Sequence, residues 1–367
     1  MASKSIAKRP DGRYRARYRD DSGKEHARHF DRKVDAQRWL DEVTADVLTG
    51  VYVDPRAGKV TFGDYALRWQ AAQIHRVNTA HAVDSALRVH ALPTFGDRRI
   101  ASIRQSEIQE WVQLLSTKLA PATVKVTYQH LRSVFRAAEE DRLIGRTPCQ
   151  RITLPTIDKA SVVPLETSVV LGIERAMPGH WRSLITLMAG TGMRPGEATG
   201  LTLDRIDFLR RTVRVDRQLL LTRPHTFGPP KTKASHRTIP LPQVVVDALA
   251  AHVAEHGTGI EEMLFTAVDG SMLNRDYVTR AFGRAAKKSG APTGTHLHSL
   301  RHYYASLLIR HGESVKVVQA RLGHSSAKET LDTYSHLWPD SEDMTRAAVD
   351  AILGSTADYL RTEGDVR

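Results

Sequence analysis

Two guanidiniums, one lysine, two imidazoles and one phenol fall in the second half of the chain: Arg194, Lys231, His298, Arg301, His324 and Tyr334. Together they suit chemistry on a phosphate. Two arginines can neutralise a phosphodiester as its phosphorus becomes five-coordinate. A tyrosine oxygen can attack that phosphorus and hold a DNA end covalently. The departing 5′-oxygen then needs a proton donor. The bond energy stays in the phosphotyrosine, so this chemistry calls for neither ATP nor a metal. A free phenol, with a pKa of about 10, reacts at neutral pH only in a cationic pocket with a base at hand. Taken alone, Tyr334 in TLDTYSHLW reads as a core aromatic, because it shares a helical face with Thr330 and Leu331. In the company of the cations, that spacing would let Leu331 anchor the segment while the phenol reaches the site.

Each of these residues has a local frame. In LITLMAGTGMRPGEATGL an apolar helix ends at Gly190 or Gly192, and Pro195 suits the first turn of the next helix. Arg194 then lies beside a helix N-terminus that already favours an anion, with Glu197 close enough to orient its guanidinium. TVRVDRQLLL alternates as a strand, and KTKASHRTIPL returns after it, so a hairpin carries Lys231 and Lys233 where its second strand begins. Either lysine could protonate a leaving oxygen; Lys233, two residues on, would share the strand face of Lys231. HLHSLRHYYASLLIRHG predicts a helix from near His298 to Gly312. Leu300, Tyr304, Leu307 and Leu308 form its core face, and His298, Arg301, His302 and Ala305 the opposite arc. That arc sets a proton-handling group beside an anion clamp. His298 and His302, four apart, also fit the spacing of zinc ligands, but the glutamate of HExxH and any further ligand are missing. SVKVVQARLG predicts a helix that ends at Gly323, directly before His324.

The elements that must position this set are spread over 367 residues, too many for one ordinary core. Lys and Arg number 53 against 41 Asp and Glu, a formal net charge of +12, which favours a polyanionic partner. No apolar run is long enough to cross a bilayer, and the polar, basic N-terminus has no signal-peptide core, so a cytoplasmic protein is expected. The single cysteine, Cys149, excludes an internal disulfide, a zinc finger and a CxxC site. In GRYRARYRDDSGKEHARHF, Arg13, Arg15, Arg17 and Arg19 alternate with Tyr14, Ala16 and Tyr18. A strand would therefore carry arginines on one face, suited to a DNA groove. Asp21-Ser22-Gly23 signals a turn, Glu25 to Phe30 a return strand, and Val34 to Val47 a helix. From Thr61 to Cys149 the pattern is helical throughout. Ser106 with Gln109 is expected to cap the third helix of this block, and Ala122-Thr123 to start the fourth, which turns Lys125, His130, Arg132 and Arg136 outward.

At GTGMRPGEATGL, PPKTKASHRTIPL, HSLRHYYAS, RLGH and TLDTYSH the sequence resembles the tyrosine recombinase (phage integrase) family, with the spacing from HxxR through LGH to the tyrosine matching as well. The resemblance covers the last block and, more loosely, the helical block before it. It implies a multidomain, mainly α protein with small β elements. Residues 1–55 would form an N-terminal three-stranded sheet plus helix that binds arm-type DNA sites through Arg13, Arg15, Arg17 and Arg19. Residues 60–152 would form a helical, SAM-like core-binding domain, 153–164 a linker, 165–354 a mixed α/β catalytic domain, and 355–367 a tail that docks on a neighbour. Arg194 and Arg301 match the phosphate-clamping arginines, Lys231 the hairpin general acid with Lys233 the weaker match, and His298 an acid/base or phosphate-contacting position. His324 matches a phosphate donor, Tyr334 the nucleophile, and Glu197 an accessory acidic position. No cofactor or metal is implied. The implied partners are double-stranded DNA attachment sites, core and arm, further copies of the chain in a tetramer, and an excisionase or host bending factor. A type IB topoisomerase-like relaxing enzyme and a catalytically silent DNA-binding relative remain as alternatives.

Overall fold

The computed structural model describes residues 5–19, 23, 25–48, 60–157, 161–220, 222, 224–338, 346–347 and 349–353. The Asp21-Ser22 part of the expected turn, residues 158–160 of the expected linker and the tail from residue 355 lie outside the described residues. The chain divides into two compact units, Met1–Asp158 and Lys159–Arg367. Among the described residues no helix is long and apolar enough to cross a membrane.

The first unit opens with β1 (Ser5–Lys8), β2 (Tyr14–Arg19), β3 (Glu25–Phe30) and α1 (Lys33–Leu48). The three strands form one antiparallel sheet in the order β1-β2-β3, with Arg15 opposite His29 and Arg19 opposite Glu25. The period of two sorts β2 as its sequence predicts. Ala16 and Tyr18 are buried with Ala36 and Leu40 of α1, while Arg15, Arg17 and Arg19 stand exposed on the other face. Arg13, also exposed, precedes the strand. Glu25 lies 3.6, 3.9 and 3.9 Å from Arg15, Arg17 and Arg19. One solvated carboxylate shared among three arginines adds little stability and leaves the face positive.

The rest of this unit is helical: α2 (Phe62–Ala72), α3 (Val77–Ser85), α4 (Leu92–Phe95), α5 (Gln105–Ser116) and α6 (Pro121–Glu140). α3 reaches α4 through a wider π turn, Ala86–Ala91, just before Pro93, whose ring cannot fit a regular helical turn. Phe62, Phe95, Ile108, Leu131 and Phe135 centre the core. Two expected helix starts shift. α5 begins at Gln105, not at a Ser106 cap, because the Glu107 carboxylate accepts from the Arg104 backbone N–H at 2.9 Å. α6 begins at Pro121 itself, where the missing N–H costs nothing. Gln109 is occupied elsewhere: its amide accepts from Thr153 N–H at 2.8 Å and donates to Thr153 C=O at 3.1 Å. The first residue of the expected linker is thus pinned to α5. Lys125, Arg132 and Arg136 of α6 are exposed and His130 is half-buried. Cys149 is buried, which pushes its thiol up to about 12 and away from nucleophilic use.

The second unit contains α7 (Thr167–Ala176), α8 (Gly179–Thr191), α9 (Pro195–Thr199), β4 (Ile206–Asp207), β5 (Thr212–Val215), β6 (Gln218–Leu219), β7 (Phe227–Gly228) and β8 (Arg237–Pro240). α10 (Gln243–His256), α11 (Arg275–Lys288), α12 (Ser299–Arg310), α13 (Val315–Leu322) and α14 (Ala327–Tyr334) follow. β4, β5 and β8 form one small antiparallel sheet, and β6 pairs with β7. The expected long first strand of the hairpin therefore breaks at Asp216-Arg217. Leu184, Leu187, Ile239, Leu249, Phe265, Phe282 and Leu300 lie in the main core. A smaller cluster of Tyr304, Ala305, Ile309, Val318, Leu322 and Tyr334 joins α12, α13 and α14.

Gly192 ends α8 in the left-handed conformation, φ +63°, and sets the close approach of this helix end to α12. A Cβ there would stand 2.4 Å from Tyr304 Cδ1 and 3.0 Å from Leu322 Cδ2. Gly192→Ala is therefore expected to cost about 2–4 kcal/mol, conformational strain plus overpacking. Thermal denaturation checks this; an unchanged midpoint would mean that the crossing gives way without cost.

Candidate active site

The site is organised around the C-terminal end of α13. That helix ends at Gly323 in the left-handed conformation, φ +66°. A Cβ on Gly323 would meet Ala234 O at 3.0 Å and Arg237 Cδ at 3.1 Å, so only glycine admits the neighbouring chain. Three successive carbonyls at this end each accept from a different arginine. Arg237 Nε donates to Arg321 O at 2.8 Å, Arg301 Nη2 to Leu322 O at 2.6 Å, and Arg194 Nη2 to Gly323 O at 3.1 Å. Carbonyls left over at a helix end carry the negative pole of its dipole and favour cations. The end of α8 repeats the arrangement, since Arg301 Nη1 donates to Gly192 O at 2.7 Å. Arg301 is thus suspended between two helix C-termini and is 1% exposed. Burial, then the charges of Arg194 and Arg237, lower its pKa to about 9, so it stays charged at neutral pH.

Glu197 is the counter-charge. Its carboxylate is 2.8 Å from Arg237 Nη2 and 3.0 Å from Arg194 Nη1, and it accepts from the Arg194 backbone N–H at 2.9 Å, closing the N-terminus of α9. Burial pushes its pKa up. The Arg237 hydrogen bond and the charges of Arg237 and Arg194 outweigh that, and the net shift is downward. Three guanidiniums against one carboxylate leave the cluster with two positive charges, the match for a five-coordinate phosphorus with two anionic oxygens. The arginines divide by what they have left to give. A guanidinium has five N–H donors. Arg237 spends donors on Arg321 O, Ser235 O and both Glu197 oxygens. Arg301 spends them on two carbonyls only, and Arg194 on Glu197, Ser235 Oγ and Gly323 O. Of these three, counting contacts among the described residues, Arg194 and Arg301 keep more unused N–H groups for an anion than Arg237, which is a strut.

Tyr334, the last residue of α14, is 1% exposed. Its hydroxyl is 2.8 Å from His302 Nδ1, with the two rings edge to face. The His324 ring lies nearly parallel to the phenol ring, at a centroid distance of 6.3 Å. Burial pushes the phenol up to about 12 against the opposing pull of Arg301. His324 donates to or accepts from Thr330 Oγ1 at 2.9 Å and faces Glu329 at 3.9 Å. Burial is the first cause holding all three histidines down, His298 to about 3 and His302 and His324 to about 4, with the arginines adding to it. All three are neutral at pH 7. The His298 ring is 5.0 Å from that of His302.

The sequence-predicted set thus gathers in part. Arg194, Glu197, His298, Arg301, His324 and Tyr334 converge. Lys231 is exposed in the bend before the turn Lys233–Ser235; that turn is tied in by a 3.0 Å contact of Thr232 Oγ1 with Ser235 Oγ, which accepts from Arg194. Lys233 does not share a strand face with Lys231, because it lies in this 3-10 turn and β8 begins only at Arg237. The outward arc expected on α12 is also corrected. Arg301 and Ala305 are buried, since α12 packs against α8 on one side and α13 on another. Leu307 and Leu308 are only half-buried. Leu331 does not anchor α14: it is 41% exposed, and Thr330 at 0% takes the buried place one full turn before Tyr334. Sequence reasoning missed Arg237. Its signal was present, because strand alternation puts it on the face of fully buried Ile239, where an arginine needs a buried counter-charge. His302 was placed on an arc but given no role. Among the described residues no group of three or more His, Cys, Asp or Glu could hold a metal ion.

Residues 172–340 match the phage integrase family, residues 5–49 the phage integrase N-terminal domain, and residues 62–154 the phage integrase central domain. The chain is 28% identical over 338 residues to the protein named as the integrase of prophage phiRv2 in Mycobacterium tuberculosis, covering 89% of each. Solved structures share this fold. The Tn1549 transposon integrase with transposon right-end DNA is 24% identical, with 80% of this chain and 100% of that one covered and a TM-score of 0.69. A lambda integrase tetramer on a Holliday junction is 20% identical, with 88% and 96% covered and a TM-score of 0.60.

Proposed function

The chain belongs to the phage integrase family and is a site-specific tyrosine recombinase acting on DNA; on that premise we propose how its residues divide the work. Tyr334 attacks the scissile phosphorus and leaves a 3′-phosphotyrosyl DNA end and a free 5′-hydroxyl. Arg194 and Arg301 clamp the nonbridging oxygens, Glu197 holds Arg194, His298 takes an acid/base or phosphate-contacting role, and His324 donates to the phosphate. Lys231 protonates the leaving 5′-oxygen, with Lys233 the weaker alternative. No metal or nucleotide takes part. The observation that carries the reading is the set of arginines on successive carbonyls at the end of α13, with spare N–H donors on Arg194 and Arg301 and with Arg301 close enough to act on the Tyr334 phenol. The protein, given a core-site duplex nicked so that the cleaved end diffuses away, is expected to accumulate a covalent DNA adduct. Absence of any adduct on DNA that it binds would refute the assignment.

The same reading gives residues 1–55 to arm-type DNA sites, 60–152 to core-site binding, 153–164 to a linker, 165–354 to catalysis and 355–367 to contact with a neighbouring copy. Arg13, Arg15, Arg17 and Arg19 form the N-terminal DNA face, supported by their exposure and net charge. The working assembly is a tetramer on double-stranded attachment sites in a bacterial host's cytoplasm, helped by an excisionase or host bending factor. Deleting residues 1–55 is expected to spare adduct formation at the core site and to lower arm-site affinity at least about tenfold, as lost phosphate contacts do. Filter binding at fixed salt measures both; unchanged arm-site affinity would remove the N-terminal assignment.

A further inference from the structure

Tyr334 must lose a proton, and His298, the histidine with an acid/base role, meets the His302 ring instead of the phenol. We propose that His302 is that acceptor: its Nδ1 holds the Tyr334 hydroxyl before reaction and receives the phenolic proton as the oxygen–phosphorus bond forms. The inference rests on Tyr334 being the nucleophile. Three features of the site carry it. First, the Tyr334 hydroxyl makes its hydrogen bond, among the described residues, to His302 Nδ1 at 2.8 Å, inside the reach required of a general base. Second, the other two histidines are badly placed. His324 is bonded to Thr330 and lies face to face with the phenol ring, and His298 meets the His302 ring rather than the phenol. Third, His302 directly follows Arg301 on α12, so one turn of helix presents the phosphate clamp and the proton acceptor together.

The protons and bonds balance. The Tyr334 Oη–phosphorus bond forms, its proton moves to His302 Nδ1, the phosphorus–O5′ bond breaks, and the 5′-oxygen takes a proton from the lysine. On rejoining, the 5′-hydroxyl attacks as the lysine takes its proton, the O5′–phosphorus bond forms, the phosphorus–phenol oxygen bond breaks, and His302 returns its proton to Tyr334. His302 must start neutral with its proton on Nε2, consistent with its burial beside Arg301 and His296. An arriving phosphodiester offsets the field of Arg301 and raises the basicity of the ring when it is needed.

The test separates holding from proton transfer. His302→Asn keeps a hydrogen-bond acceptor near the Nδ1 position but cannot take the proton; His302→Gln serves if the first variant does not fold. Single-turnover cleavage of the nicked core-site duplex is measured between pH 7 and pH 9, with DNA binding as the control for folding. The variant is expected to bind DNA like the unsubstituted protein and to cleave about 100-fold or more slowly at pH 7. The deficit is then expected to shrink about tenfold per pH unit, because the variant must wait for phenol that has already ionised. Arg301, His296, His298 and Glu329, which face the pair, are the same in both proteins and cancel in the ratio, as does the lysine acid. A variant within about threefold of the unsubstituted protein at pH 7, or a deficit that does not change with pH, overturns the proposal. Adduct formation by Tyr334→Phe would instead overturn the reading beneath it.

Discussion

Tyr334→Phe is expected to fold, to bind its DNA site and to form no covalent adduct, with cleavage lowered at least about 10⁴-fold. The change removes one oxygen. The ring keeps its place between His302 and His324 and its packing among Tyr304, Val318 and Leu322. The lost hydrogen bond to His302 costs about 1 kcal/mol of stability, small against a folded domain. The DNA contacts proposed for Arg194 and Arg301 would not depend on that oxygen, so affinity is expected to stay within a few fold. This combination, binding kept and chemistry gone, distinguishes a nucleophile from a core aromatic. A core role alone would leave cleavage near normal in the phenylalanine variant. Gel mobility shift and denaturing electrophoresis of the same reactions read both quantities.

Arg301→Lys is expected to lower cleavage by about 10²–10³-fold although the charge is kept. The physical reason is shape. The guanidinium reaches Gly192 O and Leu322 O with two separate nitrogens and still has N–H groups for the phosphate. An ammonium is a single point and cannot span two helix ends and an anion together. One buried carbonyl then loses its donor, which is expected to cost about 1–3 kcal/mol on thermal denaturation. Cleavage within tenfold of the unsubstituted protein would show that charge alone suffices and that the fork has no part in the transition state.

How much of this was legible in the sequence depends on what each signal measures. The arginine face of β2 was readable because period-two alternation reports burial directly. The ends of α8 and α13 were readable because Gly192 and Gly323 are the residues a left-handed helix cap requires. The interior position of Arg301 was not, since helical periodicity counts apolar residues and assigns the rest to solvent. It could not know that α8 and α13 enclose the polar arc of α12 and bring their terminal carbonyls to it. The cap of α5 was misread for a similar reason: a Ser and a Gln of plausible spacing lost to Glu107, whose carboxylate reaches back to the Arg104 N–H. For Tyr334 the sequence carried two signals of different standing. Its spacing to Thr330 marked it as buried, and its company of cations marked it as reactive. The burial is observed, Tyr334 being 1% exposed against His302, and the reactivity is the proposal that the adduct experiment tests.

The central claim is that DNA becomes bonded to one particular oxygen. The most direct measurement is to digest the trapped adduct with protease and nuclease and to find the nucleotide-bearing peptide by mass spectrometry. The expected product is a nucleotide joined through its 3′-phosphate to Tyr334 in the peptide carrying ETLDTYSHLW. A nucleotide on any other residue, or a linkage through a 5′-phosphate, would contradict it.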